Sequence, residues 1–331
     1  MGTGSAGGSL MITLALAGDT MLGRAVGRLL AAEPFEAVIA AEVRELTAGA
    51  DACVVNLECC VSDRGARWPA PGKLFFFRAP PRAADALAWL GVDCATLANN
   101  HALDFGPAAL ADTLAYLADA GIRTVGAGAN VDQARRWRVI SAGGLRLGVL
   151  GVTDHPDDFA AGPDRPGVAF ADLWTEVPDW LPRQIAAMRG RVDVGLVSPH
   201  WGPNMTTRPP PHVRAAAREF VAAGADLVAG HSAHVFHGVE RPVLYDLGDF
   251  IDDYAVDPRL RNDLGLLFLV GIDAHGIAEL EAVPLVREYC RTRIADRTEA
   301  AWVRRRFATA CAEWGTEVVV TGSGRLVVPL R

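Results

Sequence analysis

Three of the chain's eight histidines stand close together in residues 230–237, which read GHSAHVFH. The preceding residues 224–229 (GADLVA) have the length and composition of a buried strand. His231, His234 and His237 therefore follow the carboxyl end of a predicted strand, where open α/β sheets bind their ligands. Because neutral imidazole is the commonest metal ligand, this cluster predicts a metal site. The alternative for any single histidine is a polar loop that uses it for hydrogen bonds.

Metal-ligand side chains also follow the other predicted strands. They are Asp19 after strand 11–17, Glu58 after 51–57, Asn99, Asn100 and His101 after 92–98, His200 after 192–198, and Asp249 after 243–247. Helix caps and turns explain any one of them, because Asp and Asn favour both. They do not explain why most strand ends carry such residues. A carboxylate is costly to bury unpaired, so Glu58 needs a cation or an arginine such as Arg24 as a partner.

The elements that must position these residues alternate between strand and helix, which predicts an α/β protein. Helices are predicted over 35–48, 80–90, 107–120, 173–189, 211–223 and 295–313. Hairpins are predicted over 137–152 and 264–285, and two short strands close the chain. Residues 153–167 are rich in Asp, Pro and Gly, and form a long loop expected to cover a site.

Bulk composition narrows the class of protein. The chain has 331 residues, 50% of them hydrophobic, which is ample for a large core. A formal net charge of −7, without a basic stripe, disfavours nucleic-acid binding, and no apolar run could cross a membrane. Residues 1–10 are Gly/Ser-rich and are read as a disordered lead-in rather than a signal peptide, and the six cysteines contain no C-x-x-C pair. We therefore expect a cytoplasmic protein with one domain over 11–331: a motif core over 12–255, then C-terminal strands and a helix over 256–331.

Six motifs occur in one order along residues 12–255. They are GDTMLGR at 18–24, NLE at 56–58, NNHALDFG at 99–106, HWG at 200–202, GADLVAGHSAHV at 224–235 and LGDF at 247–250. In these motifs the chain resembles the CapA family, named for poly-γ-glutamate capsule synthesis, which looks like a branch of the calcineurin-like metallophosphoesterases. The resemblance implies a four-layer α/β/β/α sandwich with the metal site at the strand ends between its two sheets.

The resemblance also implies roles for individual residues. The implied metal ligands are Asp19, Glu58, Asn100, His200, His231 and His234, and the position of Asp249 at a strand end makes it a further candidate. His101 matches the histidine that often serves as general acid. From the spacing, Asp104 could orient the His101 ring, and His237 could approach from the other side as a second acid/base group. Asp19 is the remaining candidate base.

Positive charges near the first motif are candidates for substrate binding. Arg24 directly follows the Asp19 turn, and Lys73 and Arg78 lie in a loop that could reach the same place. We expect these three residues to bind an anionic group of the substrate. A salt bridge from Arg24 to Glu58 is the alternative.

Several departures from the family pattern bear on the metal. Phosphatases of this superfamily begin Asp-x-His, but Met21 stands in the histidine position, and the pair His231 and His234 is spaced by two residues instead of one. The site is thereby richer in oxygen ligands, which favours one or two Mg²⁺, Mn²⁺ or Ca²⁺ ions over Zn²⁺.

Three functions fit these residues. The preferred hypothesis is a metal-dependent enzyme that acts on a peptide or γ-glutamyl carboxylate in a biosynthetic pathway. Its most specific form is an epimerase that inverts the Cα of one residue in a ribosomal peptide. The second is hydrolysis of a phosphoester or an amide with a metal-activated water. The third is a non-catalytic metal-binding assembly module. The expected partner is a peptide or small acidic substrate, with neither nucleic acid nor membrane, and the oligomeric state is left open.

Overall fold

Strands and helices alternate along residues 11–330, which the computed structural model describes. The strands are β1 (Ile12–Thr20), β2 (Ala52–Leu57), β3 (Cys60–Val61), β4 (Arg78–Ala79), β5 (Cys94–Thr96), β6 (Arg123–Val125), β7 (Ala127–Gly128), β8 (Arg138–Ala142), β9 (Leu145–Thr153), β10 (Gly167–Val168), β11 (Val194–His200), β12 (Leu227–Ala229), β13 (Val239–Glu240), β14 (Val243–Leu244), β15 (Asp249–Ile251), β16 (Leu264–Asp273), β17 (Gly276–Glu288), β18 (Arg291–Ile294), β19 (Val319–Val320) and β20 (Leu326–Pro329). The helices are α1 (Arg24–Ala32), α2 (Ala41–Ala48), α3 (Arg82–Trp89), α4 (Gly106–Asp119), α5 (Val131–Ala134), α6 (Trp180–Arg189), α7 (Pro211–Ala222) and α8 (Arg297–Ala312). The lead-in predicted for residues 1–10 lies outside the described residues.

Two large sheets carry the fold. The first has the order β19-β20-β17-β16-β1-β2-β5-β6, with β15 beside β1 and β18 beside β17, and the second has the order β13-β14-β12-β11-β9-β8. Strands β1, β2, β5 and β6 are parallel in the first sheet, and so are β9, β11, β12 and β14 in the second. The carboxyl ends of parallel strands meet at one edge of a sheet, so each sheet gathers its following loops there.

The two sheets pack face to face, with helices on both outer faces. Strand β1 shows the alternation: Leu14 and Leu16 enter the core between the sheets, while Ala15 and Ala17 enter the core under the helices α1 to α4. Helices α6 and α7 cover the other sheet through a third core. The predicted four-layer α/β/β/α sandwich is therefore confirmed. Helix α8 adds Phe307 to the core between the sheets.

Two predicted helices are shorter than expected. In place of a helix over 35–48, a 3-10 turn at Phe35–Ala37 precedes α2, because residues 38–40 are hydrogen-bonded to Thr292 of β18. In place of a helix over 173–189, α6 begins at Trp180. Pro178 explains the late start, since a proline disfavours helical backbone in the residue before it.

Most other elements follow the sequence pattern. Gly143 and Gly144 turn the hairpin of β8 and β9, and the predicted hairpin over 264–285 is β16 with β17, extended to Glu288. The described residues contain no helix with the length and apolar character needed to span a membrane. All six cysteines are free and buried.

One glycine lets the strand that carries Asp19 approach its neighbour. A Cβ on Gly18 would lie 1.8 Å from the carbonyl oxygen of Gly248. The same oxygen accepts a hydrogen bond of 2.9 Å from the backbone N–H of Asp19. The side-by-side register of Asp19 and Asp249 follows directly from this approach.

We therefore expect Gly18→Ala to push β15 away from β1 and to lower the free energy of unfolding by about 3 kcal/mol, since the clash is with backbone. Urea unfolding followed by circular dichroism measures this change. Gly322→Ala is the matched control, because its Cβ would meet nothing within 4 Å, and it should stay within about 1 kcal/mol of the wild type. Equal stability of the two variants would contradict the close-approach argument.

Candidate metal centre

Four buried side chains converge between the two sheets: Asp19, Glu58, His234 and Asp249. One nitrogen or oxygen atom of each lies within 4.8 Å of such an atom in the others. His234 Nδ1 is 2.7 Å from Asp249 Oδ1 and 3.3 Å from Asp19 Oδ2, and His234 Nε2 is 4.0 Å from Glu58 Oε1. Three carboxylates and one imidazole at these distances could bind a metal ion.

Strand ends and one tight loop bring the four together. Asp19 ends β1 beside Asp249 at the start of β15, and Glu58 directly follows β2. His234 lies in the loop after β12 with a left-handed φ of 58°. The buried carboxylate of Asp246 shapes this loop, because it accepts hydrogen bonds of 2.8 Å from the backbone N–H groups of Ala233 and Gly248.

Several buried polar atoms of the predicted ligand residues have no hydrogen-bond partner. They are Glu58 Oε1, Asn100 Oδ1, His200 Nε2 and His231 Nδ1. Nearly all buried polar atoms in proteins are paired, so an orphan of this kind calls for an explanation such as an ion. His231 Nδ1 is 3.4 Å from Asp19 Oδ1, which brings this predicted ligand to the four converging side chains.

Asn56, which the sequence reasoning did not single out, links Asp19 to the second sheet. Its Nδ2 donates to Asp19 Oδ1 at 2.7 Å and is 3.3 Å from Nδ1 of His200. Its Oδ1 accepts hydrogen bonds of 3.1 Å from Thr96 and Asn99. The signal was present, since Asn56 belongs to the NLE motif. Asn99 has a structural role, while Asn100 keeps its unpaired oxygen.

Burial and the neighbouring charges together determine the ionisation of the acids. Burial opposes the charge on Asp19, but the nearby imidazoles of His231 and His234 outweigh it and hold the pKa of Asp19 well below its usual range. Burial, followed by repulsion from Asp19, raises the pKa of Glu58 well above its usual range. Burial also raises the pKa of Asp249 to about 6. Glu58 thus lacks sufficient positive charge around it among the protein groups alone.

A buried arginine holds Asp249, and sequence reasoning missed it. Arg287 Nη1 donates to the backbone oxygen of Asp249 at 2.8 Å, and Nη2 is 3.3 Å from its Oδ2. Arg287 Nε is also 2.6 Å from Asp252 Oδ2. Only Oδ1 of Asp249 therefore faces His234. No local pattern marks Arg287, because it lies far along the chain on β17.

His101 sits at the edge of the group with its ring fixed on three sides. Its Nδ1 is 2.6 Å from Asp104 Oδ2, its Nε2 is 3.9 Å from Glu58 Oε1, and its ring stacks on Phe77 with centroids 4.0 Å apart. The contact in which Asp104 orients His101 is therefore present. Burial lowers the pKa of His101 despite the hydrogen bond to Asp104, so the ring is neutral near pH 7.

A cavity of about 250 Å³ opens beside this histidine. It is lined by Arg24, Phe75, Phe77, His101, Asn204, Met205, His234, Tyr254, Ala255 and Asn262. Arg24 Nε lies 3.3 Å from Asp253 Oδ1, and the side chain is 41% exposed. The alternative in which Arg24 pairs with Glu58 is therefore wrong. The hydroxyl of Tyr254 donates to Glu58 Oε2 at 3.3 Å.

Lys73 and Arg78 do not line this cavity. Lys73 Nζ is 2.9 Å from Asp104 Oδ1 and donates to the backbone oxygen of Asn100 at 2.7 Å. The guanidinium of Arg78 lies 4.2 Å from the centre of the Phe105 ring. Of the three cations predicted to bind substrate, only Arg24 borders the cavity.

His237 is hydrogen-bonded to the loop at Thr206. Its Nε2 donates to the backbone oxygen of Thr206 at 2.9 Å, and burial lowers its pKa to about 4. Its charged neighbour is Arg306. No described contact joins His237 to the metal-ligand group, so the structure does not place it across the site from His101.

A further pair of histidines lies next to His200 and was not singled out from the sequence. The buried carboxylate of Asp154 contacts His155 Nδ1 and lies 3.6 Å from His212 Nε2. The ring centres of His155 and His200 are 5.2 Å apart. The position of His155 just after β9, whose end neighbours that of β11, was the available signal.

Comparison with known proteins places the chain in a family. Residues 13–254 match the family described as "Bacterial capsule synthesis protein PGA_cap". A "Probable polyglutamine synthesis accessory protein" of Mycobacterium tuberculosis is 33% identical to this chain, in an alignment that covers 98% of each of the two proteins. The "Capsule biosynthesis protein CapA" of Bacillus anthracis is 28% identical over 83% of this chain and 67% of its own. The chain therefore belongs to the bacterial capsule synthesis family PGA_cap, the CapA family whose motifs it carries.

Proposed function

We propose that this protein is a metal-dependent hydrolase that cleaves an amide bond in an acidic, γ-glutamyl-type peptide chain during biosynthesis. The observation that carries the proposal is the position of His101 Nε2, which lies 3.9 Å from the unpaired Oε1 of Glu58. A neutral imidazole held by a carboxylate thus faces a group of unpaired ligand atoms. This arrangement resembles the base and orienting acid of hydrolytic enzymes.

The residues present fit a divalent cation. Glu58 keeps an unpaired buried oxygen and a raised pKa, both of which a nearby positive ion would relieve. Asp19, Glu58, Asn100, His200, His231 and His234 would hold one or two ions, and Asp249 would contribute through Oδ1. Predominantly oxygen ligands with imidazole support Mn²⁺ or Mg²⁺ over Zn²⁺. When bound, such an ion polarises a carbonyl group and activates a water molecule.

The chain's own residues then have distinct tasks. Because the Nδ1–H group of His101 donates a hydrogen bond to Asp104, the lone pair of Nε2 is free to take a proton from the attacking water. The same nitrogen can deliver that proton to the amine that leaves, so one imidazole suffices. The ring cannot swing away, because Phe77 stacks on it at 4.0 Å.

The cavity supports a substrate that combines an anionic and an apolar part. Arg24 supplies an exposed guanidinium, and Phe75, Phe77 and Tyr254 supply aromatic walls. Relatives of this chain are named for capsule and polyglutamine synthesis, which supports a chain built from glutamine-type units as the substrate, while the charge of Arg24 favours an anionic one. Arg24 would bind a carboxylate of the residue next to the bond that is cleaved.

Epimerisation, the hypothesis preferred from the sequence, needs two groups on opposite sides of one carbon. His237 hydrogen-bonds to Thr206 and has no described contact with the site, so its predicted place as a second acid/base group opposite His101 is not supported. Tyr254 lines the cavity with His101 and makes epimerisation a second candidate, with its hydroxyl as the opposite group. An assembly module that binds metal without catalysis would leave His101 without a task.

We expect removal of the metal with EDTA to lower the free energy of unfolding. Adding Mn²⁺ at 100 times its Kd should raise the free energy of unfolding again by about 3 kcal/mol. Glu58→Gln should abolish this gain, because the substitution removes a ligand charge. Glu219→Gln, an exposed carboxylate on α7, should retain it. The measurements are urea unfolding and elemental analysis of each protein. Full metal content in Glu58→Gln would contradict the assignment.

We expect His101→Gln to lower kcat on a γ-glutamyl peptide by roughly 10²–10⁴-fold with its metal content unchanged, because the base is lost. His237→Gln is the matched control and should keep wild-type kcat, since its partner is a backbone oxygen. The assay runs the reaction in heavy water and uses mass spectrometry to detect both cleaved peptide and deuterium uptake. Deuterium at the Cα of intact substrate would instead identify the protein as an epimerase, and unchanged turnover in His101→Gln would remove this residue from the mechanism.

We expect Arg24→Ala to raise KM by about tenfold with little change in kcat, because a guanidinium that binds a carboxylate contributes to substrate affinity. The same variant should melt at a somewhat lower temperature, because Asp253 loses its ion-pair partner. Arg78→Ala removes the same charge outside the cavity and is the control. Steady-state kinetics and thermal melting of both variants measure the effect. A KM that stays constant in Arg24→Ala would reject its binding role.

A further inference from the structure

A second cavity, of about 590 Å³, lies beside helix α8 and is dominated by arginines. Arg208, Arg305 and Arg306 line it, together with Trp302 and Glu313. We call it the arginine cavity. Neither the metal centre nor the proposed cleavage uses any of these residues. Its positive charge stands out in a chain whose formal net charge is −7.

Arg306 is a half-buried cation without an acidic partner among the described residues. Its Nη1 donates to the backbone oxygen of Leu260 at 2.8 Å, while its Nη2 is buried and has no hydrogen-bond partner. The guanidinium carbon lies 5.3 Å from the centre of the Trp302 ring and 5.4 Å from that of Phe236. A polar atom that is removed from water without a partner is costly, so the unpaired Nη2 of this half-buried guanidinium favours an anion nearby.

The charges around Arg306 leave the cavity positive. Glu313 Oε1 pairs with Arg208 Nη2 at 2.6 Å. Arg305 is exposed, and no described carboxylate lies within ion-pair distance of it. Three guanidiniums against one carboxylate leave an excess of two positive charges. Guanidinium groups bind carboxylates and phosphates through two parallel hydrogen bonds.

The arginine cavity and the cavity at the metal centre share one loop. Met205 borders the cavity at the metal centre, and Thr207 borders the arginine cavity. The two residues are two positions apart, which corresponds to at most about 7 Å of chain. The loop is fixed to the histidine segment, because the backbone N–H of Met205 donates to the oxygen of Ala233 at 2.9 Å and His237 donates to the oxygen of Thr206 at 2.9 Å. A ligand that crosses this short loop can contact both cavities.

We propose that the arginine cavity binds carboxylate groups of an acidic chain, several residues away from the bond held at the metal centre. The identity of that chain as the substrate rests on the proposed function, whereas the charge of the cavity does not. Arg306 and Arg305 bind the carboxylates, and the flat face of Trp302 packs against the methylene groups between them. His237, beside Arg306, holds the loop between the two cavities and takes no part in proton transfer.

The test is calorimetric titration of the full chain, freed of metal with EDTA, with γ-linked hexaglutamate and separately with inorganic phosphate. We expect the hexaglutamate affinity to fall about threefold in Arg305→Ala and about tenfold in Arg306→Gln, because Arg306 is less exposed to water than Arg305 and its Nη2 has no partner in the protein. Arg183→Ala, which removes an exposed arginine on α6, is the charge-matched control and should bind like the wild type. Thermal melting checks that each variant is folded, and the double variant Arg208→Ala/Arg305→Ala replaces Arg306→Gln if that protein unfolds.

Wild-type affinity in the arginine variants would overturn the proposal. So would binding of phosphate without binding of hexaglutamate, which would indicate a site for a phosphorylated ligand instead. The titration needs neither metal nor turnover, so the two proposals fail separately. Arginine-dependent binding in a protein without metal-dependent cleavage would reject the hydrolase and leave the carboxylate site standing.

Discussion

Repulsion among buried carboxylates is the constraint on which the rest of the structure depends. Asp19, Glu58 and Asp249 meet in the interior of a four-layer fold, where unpaired charge is expensive. The protein offsets part of this repulsion with His234, which gains a raised pKa from Asp249 and Glu58 despite its burial. Arg287 supplies a second positive charge. The Oε1 atom of Glu58 remains without a partner, and a cation bound there would complete the site.

The fold meets this constraint by joining distant parts of the chain at one place. Parallel strands from both sheets end at the site, and the isolated pairing of His200 with His231 links the ends of β11 and the β12 loop. Gly18 lets β15 approach β1 closely enough to set Asp249 beside Asp19. The strand that holds the first acid thus also fixes the last one. A displacement of either strand would change the spacing of the charges and the affinity for a cation together.

Sequence reasoning succeeded where strand ends alone determine position. Asp19 and Glu58 could be predicted to meet because they end neighbouring parallel strands. It failed where tertiary contacts decide. The pairing of residues 38–40 with Thr292 interrupts a segment with helical periodicity, and the contact of Arg287 with Asp249 joins residues 38 positions apart.

The direction of His237 was equally hidden, and it changed the preferred chemistry. Ser232 and His234 both have positive φ, at 110° and 58°, so the loop after β12 does not follow the alternation of a strand. Spacing along the chain therefore could not say which histidines face the metal-ligand group. With His237 bound to Thr206, His101 and His234 are the imidazoles beside Glu58. Because His234 is held by Asp19 and Asp249, His101 is left to move the proton in hydrolysis.

Lys73 shows how the second layer of charges sets the protonation of that imidazole. A lone buried carboxylate at Asp104 would draw a proton onto His101 and make the ring an acid. Lys73, at 2.9 Å from Asp104, neutralises the carboxylate, and its own charge further lowers the pKa of His101. The cation predicted to hold substrate instead adds to burial, the main cause of the lowered pKa, in keeping His101 neutral, with Nδ1 donating to Asp104 and Nε2 able to accept a proton. A base at this position is consistent with a water molecule as the nucleophile, since a catalyst that only protonates a leaving group would need a ring that is charged before the reaction begins.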